Sequence, residues 1–119
     1  MHEYSIVQSL VDSVTAAVGA REASAHEVHV AVHEVRVSIG EMSGVDCGLL
    51  TTAYEVFRAG TLCEHAALTI DRIPARWHCP RCHMAIASGA FLRCVECNEP
   101  AQLASGDEIV LQRIELEVA

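Results

Sequence analysis

Residues 27–39 read Glu27-Val28-His29-Val30-Ala31-Val32-His33-Glu34-Val35-Arg36-Val37-Ser38-Ile39. Val28, Val30 and Val32 alternate with polar or small residues, the period-two pattern of a β-strand with one buried face. Val35, Val37 and Ile39 continue the alternation in the opposite phase. A slip of one residue turns every side chain to the other face. The segment is therefore one strand with a bulge, or two separate strand pieces. His-Glu-Val stands at 26–28 and again at 33–35, but two copies of three residues do not make a repeat architecture.

The segments on either side supply partners for this strand. Upstream, Ile6, Val7, Leu10, Val11, Val14, Ala17 and Val18 recur at i, i+3, i+4 spacing, which predicts an amphipathic helix over 4–18 with Gly19 as its stop. Downstream, Gly40 to Gly44 is a turn. Asp46 caps a second helix running to about Ala59, with Gly60 just past its end and an apolar face of Leu49, Leu50, Ala53, Val56 and Phe57. Ala66, Leu68 and Ile70 alternate again in a strand over 65–73, which Pro74 closes.

Residues 77–100 differ in composition, with four of the six cysteines and all but one of the prolines. Residues 107–118 return to β character through Ile109, Leu111, Ile114, Leu116 and Val118. The last strand most simply rejoins the first sheet. The expected fold is α+β: two helices on a small three-stranded sheet, with an inserted four-cysteine, zinc-ribbon-like unit. Residues 1–73 and 107–119 would form the α/β domain and 74–106 the cysteine domain.

The length of 119 residues fits one domain or one domain with a small insertion. Half the residues are apolar but aromatics are scarce, so the core must come from Val, Leu, Ile and Ala. Sixteen acids face eight arginines and no lysine, a formal charge of −8. Such a chain does not attract phosphate backbones, which argues against nucleic acid. No apolar run approaches the ~20 residues of a membrane span, and the opening residues lack the pattern of a signal peptide. The expected location is the cytoplasm, where six cysteines point to metal or redox chemistry before disulfides.

Cys79-Pro80-Arg81-Cys82 is followed, eleven residues later, by Cys94-Val95-Glu96-Cys97. Each Cys-x2-Cys turn places two thiolates on one side of an ion, and two such turns complete a zinc tetrahedron. Four protein ligands leave no open position, so the site is expected to be structural. A thioredoxin-like redox site needs one such pair, not a matched two. About thirty residues cannot hold a core alone, so the metal should supply most of this unit's folding energy. His78 and His83 flank the first pair, either as solvated loop histidines or as competitors for the metal.

At the other end, the α-amine, the amide nitrogen of His2 and its imidazole Nδ1 can all reach one ion. With the amide deprotonated, these nitrogens form fused chelate rings in a plane, which suits Ni²⁺ or Cu²⁺. The fourth ligand must come from elsewhere: the Glu3 amide, a carboxylate or a second histidine.

Met1-His2-Glu3-Tyr4-Ser5, Gly40-Glu41-Met42-Ser43-Gly44, Gly60-Thr61-Leu62 and the paired Cys-x2-Cys units occur in one order. In this the chain resembles, over nearly its whole length, the HypA/HybF family of nickel metallochaperones for [NiFe]-hydrogenase maturation. The resemblance implies nickel bound at His2, with Glu3 matching the family's next position and Asp46 the acidic residue some members use. It implies zinc on Cys79, Cys82, Cys94 and Cys97. It also implies a protein that is not an enzyme and that passes nickel to the hydrogenase large subunit precursor together with a HypB-type GTPase.

Two features depart from the family. The stretch 20–31 is longer than usual and adds His26 and His29, with His33 just beyond; these form a solvated strand face or an accessory metal site. Cys47 stands beside Asp46, and both it and Cys63 read as small packing residues. The valine-rich 27–39 strand also offers an edge for pairing or exchange with a second copy, which would give a homodimer. The alternative function is a zinc-ribbon module for protein interaction or nucleic acid. An enzyme is disfavoured, because no nucleophile–base arrangement is visible and the thiolate site is closed.

Overall fold

A computed structural model describes residues 2–25, 30–87 and 91–118, with the side chains of His2, Ala23, Ser24, Ala25 and Val118 outside that description. His26 and His29 lie outside the described residues. The order is α1 (His2–Ala25), β1 (Val30–Gly40), α2 (Cys47–Phe57), β2 (Ala67–Ile73), β3 (Arg76–His78), β4 (Ala85–Ile86), β5 (Gln102–Ser105) and β6 (Ile109–Val118). Two three-stranded sheets form, ordered β2-β1-β6 and β4-β3-β5. β1 runs parallel to β2, and α2 is the crossover that a parallel pair requires. β6 rejoins this sheet, as the sequence predicts, and the structure places it antiparallel on the other side of β1.

The phase change in β1 is a bulge within one strand. The register against β6 slips between Val32 and Glu34, leaving His33 as the extra, exposed residue. Val32 and Val35 consequently both point inward, at 5% and 1% exposure. A second slip, at Gln112 of β6, likewise returns Leu111 and Ile114 to one face. These residues, with Val37 and Ile39, pack against Val7, Leu10, Val11, Val14 and Val18 of α1 and Leu50 and Tyr54 of α2. Each such buried apolar side chain contributes roughly 1.5–3 kcal/mol.

Three expectations change. α1 does not stop at Gly19 but runs to Ala25. A glycine ends a helix by turning left-handed, and Gly19 is not among the residues with positive φ; the alanines around it carry the helix on. The apolar face of α2 is Leu50, Ala53, Tyr54 and Phe57, while Leu49 and Val56 are 56% and 68% exposed. β1 is the central strand, paired with β6 along residues 30–39 and with β2 only from Glu34 to Gly40, so the edge left for a second copy narrows to residues 30–33 on the β2 side among the described residues.

The Gly40–Gly44 turn joins the strands that enter and leave the cysteine unit. Gly40 N donates to Glu108 O (2.8 Å), Glu41 N to Ile73 O (2.8 Å) and Met42 N to Gly106 O (2.7 Å). The crossing is so close that a Cβ on Gly40 would lie 2.2 Å from Gly106 O.

Candidate metal centres

The second sheet is small and carries the cysteines on its turns. Both turns are built alike. Cys79 N donates to Met84 O and His83 N to Cys79 O, each at 2.9 Å; Cys94 N donates to Glu99 O and Asn98 N to Cys94 O, again at 2.9 Å. The residue after each second cysteine, His83 (φ 63) or Asn98 (φ 55), takes the left-handed conformation. Asn and His tolerate that region better than most side chains. Cys82 N and Cys97 N point at the first sulfur of their own turn, at 3.5 and 3.4 Å.

The four Sγ atoms lie within 4.8 Å of one another, and Cys82 Sγ is 3.7 Å from Cys94 Sγ. A tetrahedron with metal–sulfur bonds of ~2.3 Å has sulfur–sulfur edges of ~3.8 Å, so the set fits a zinc-sized ion. The Cys82 amide, above all, holds the Cys79 thiol down to about 7 against the opposing cost of burial. The Cys82 thiol beside it, then burial, push Cys97 up to about 12. The Met84 amide favours the Cys82 thiolate, but burial and the thiols of Cys79 and Cys94 outweigh it and raise that group. Four sulfurs this close cannot all ionise without a cation among them. Among the described residues this is the one cluster of three or more metal-ligating side chains.

The histidines whose side chains are described stand apart from that cluster. His78 and His83 stack with ring centroids 6.3 Å apart, and the buried His78 Nδ1 has no hydrogen-bond partner among the described residues. Of the 26–33 group, only His33 is described, exposed on its bulge. Cys63 is fully buried and burial raises its thiol; Cys47 packs against the core at the start of α2.

The second candidate region is the start of α1 against α2. Asp46 is the N-cap of α2, its Oδ1 accepting from Leu49 N at 3.0 Å. Glu3 is only 9% exposed, and its Oε2 accepts from Asp46 N at 3.2 Å. Hydrogen bonds from its own amide and from that of Asp46 hold the Glu3 carboxyl below the usual carboxylate range. Tyr4 meets Phe57 edge-on at 5.3 Å, so the first turn of α1 is gripped at both ends of α2. Beside Asp46 lies a pocket of about 530 Å³, lined by Gly40, Glu41, Cys47, Arg72 and Pro74 among others. Glu3 and Asp46, which the sequence resemblance names as separate candidate metal ligands, are thus in contact. Glu41, named from the sequence only within the Gly40–Gly44 motif, accepts from Ala75 N through Oε1 at 2.8 Å, a contact that no periodicity signals.

A family described as hydrogenase/urease nickel incorporation, metallochaperone, matches residues 1–116. The hydrogenase maturation factor HypA of Nitrosospira multiformis is 36% identical over 98% of this chain and 97% of that one. That of Shewanella oneidensis is 31% identical over 100% and 98%. The solution structure of the Ni metallochaperone HypA from Helicobacter pylori superposes with a TM-score of 0.61 at 30% identity, covering 95% of each chain. A second HypA solution structure gives 0.69 at 30% identity, covering 98% of this chain and 97% of that one.

Proposed function

The chain belongs to the HypA family of nickel-incorporation metallochaperones, and from that premise we propose that it holds Ni²⁺ at its N-terminus and delivers it to the large subunit precursor of a [NiFe]-hydrogenase. The family is one of metallochaperones, not enzymes. Residues 1–73 and 107–119 make the nickel-binding part and 74–106 the zinc-binding part, with Zn²⁺ on Cys79, Cys82, Cys94 and Cys97. A HypB-type GTPase is the partner in transfer, and the setting is cytoplasmic. No helix among the described residues is long and apolar enough to cross a membrane. A second copy of the chain would meet the edge of β1 at residues 30–33, which β2 leaves unpaired among the described residues.

The observation that most supports the nickel reading is the contact of Glu3 with Asp46. It brings the first turn of α1 to an exposed aspartate. The amides of that first turn have no i−4 carbonyl within the helix, so using them as metal donors breaks no helical hydrogen bond. A helix N-terminus by itself repels a cation. Deprotonated amide nitrogens, the His2 imidazole and a carboxylate such as Asp46 reverse that local charge. Terminal backbone rearranges at low cost, which suits a cargo that must be released.

The test is metal analysis and Ni²⁺ titration of the untagged protein and its His2→Ala variant. The variant loses specific nickel binding and keeps zinc near one per chain, as four cysteines at one centre require. Undiminished nickel binding would overturn the assignment.

A further inference from the structure

Helix α2 has half of a capping box. Asp46 caps Leu49 N, as an N-cap side chain should. In the complete box a Glu or Gln three residues on reaches back to the N-cap backbone N–H. Here that position is Leu49, which has no acceptor. The missing carboxylate comes from the other helix: Glu3, 43 residues away in sequence, accepts the Asp46 N–H through Oε2.

We infer that the Glu3 carboxylate is a positioning group of the nickel site, completing the cap of α2 from α1 and so fixing Asp46 beside the N-terminus, and is not itself a donor to the ion. The inference rests on the nickel reading above. Its support is burial together with occupancy. Glu3 is 9% exposed, whereas Asp46 is exposed and its Oδ2 accepts no hydrogen bond from the described residues. A buried carboxylate that abandons backbone N–H groups to meet a metal leaves those donors unsatisfied. Asp46 can turn an oxygen to an ion at no such cost. The two carboxylates of the motif therefore have different tasks: Glu3 sets the distance and Asp46 faces the cargo.

Length and charge can be separated by substitution. Glu3→Gln keeps the reach and an acceptor oxygen but removes the charge. Glu3→Asp keeps the charge but withdraws the oxygen by about 1.5 Å, one carbon–carbon bond, which a contact already 3.2 Å long does not survive. Ni²⁺ titration of the zinc-loaded, untagged full-length chain then gives opposite orders for the two roles. For a positioning residue, Glu3→Gln binds Ni²⁺ within about threefold of the unsubstituted protein, and Glu3→Asp binds at least about tenfold more weakly. Far-UV circular dichroism and zinc content report whether each variant is folded. The reverse order, with Glu3→Asp near normal and Glu3→Gln weak, would overturn the inference in favour of a ligand, as would two variants both indistinguishable from the parent. The His2→Ala titration keeps the two levels apart: if it loses nickel while Glu3 variants misbehave, only the role of Glu3 falls.

Discussion

Glu41 Oε1 accepts the backbone N–H of Ala75 at 2.8 Å, so the residue that follows β1 holds the chain where it leaves β2 for the cysteine unit. Ala75 is only 4% exposed, and its N–H would otherwise be left without this acceptor. Glu41→Ala is expected to cost about 1–2 kcal/mol, and Glu41→Gln, which keeps an acceptor, less. Urea unfolding of the zinc-loaded proteins measures the loss. Amide exchange should quicken at Ala75 while the amides of Cys79 and Cys94, bonded within their own turns, stay protected. Equal stability of Glu41→Ala and the parent would show that the bond contributes nothing.

Gly40 and Gly106 form the tightest crossing of the two strands beside that bond. Gly106 has φ +104, and a Cβ on it would lie 2.6 Å from Ala75 Cα. Backbone, not a flexible side-chain tip, stands in the way. Gly106→Ala therefore combines a strained conformation with a collision, and is expected to destabilise by about 3 kcal/mol or more. Gly19→Ala is the control: nothing lies within 4 Å of its Cβ and it is helical, so a gain of up to about 1 kcal/mol is expected. Thermal unfolding of the pair should move in opposite directions.

Zinc uptake by the four cysteines should release more protons at lower pH. With the two turns formed and no ion bound, Cys79 ionises near 7, well below an ordinary thiol, while Cys97 is pushed up to about 12. At pH 8 Cys79 is mostly thiolate already; at pH 6 it carries a proton that zinc must displace. About one extra proton is released at pH 6, and zinc affinity falls in the same direction. For the metal-free fold the sign agrees: a depressed thiol pKa contributes stability present above its unfolded value and lost as pH falls through about 7. Titration calorimetry in buffers of different ionisation heat counts the protons. An unchanged count between pH 6 and 8 would contradict the ionisation order.

The central strand was legible because its valines keep a strict period, and even the bulge at His33 announced itself as a change of phase. The cysteine turns were legible from spacing alone. α2 was harder. Leu49, Leu50, Ala53, Tyr54, Val56 and Phe57 spread apolar groups over nearly half the circumference of an 11-residue helix, more than one buried stripe needs. Which face turns inward is then decided by tertiary contacts, and Tyr54 won over Leu49 because its hydroxyl finds buried carbonyls. Strands β3, β4 and β5, of two to four residues, are too short to carry a period. Contacts between residues distant in the chain, such as Glu3 with Asp46 or Gly40 with Gly106, leave no mark in local pattern.

Tyr54 itself gives a further test. Its hydroxyl donates to Ala66 O at 2.8 Å from a residue 1% exposed, and burial raises its pKa. The same carbonyl also accepts from Arg58 Nη1 at 3.0 Å, and the Arg58 guanidinium lies 5.7 Å from the Tyr54 ring centroid. Tyr54→Phe removes one donor but leaves the Ala66 carbonyl satisfied by Arg58, so the expected loss is about 1 kcal/mol. Arg58→Ala, with Tyr54 intact, should cost a similar amount. Removing both leaves the carbonyl without either donor, and the double variant should lose more than the two single losses combined, by about 0.5 kcal/mol or more. A double-mutant cycle from chemical unfolding measures this coupling, and strict additivity would show that the two donors serve the loop after α2 independently.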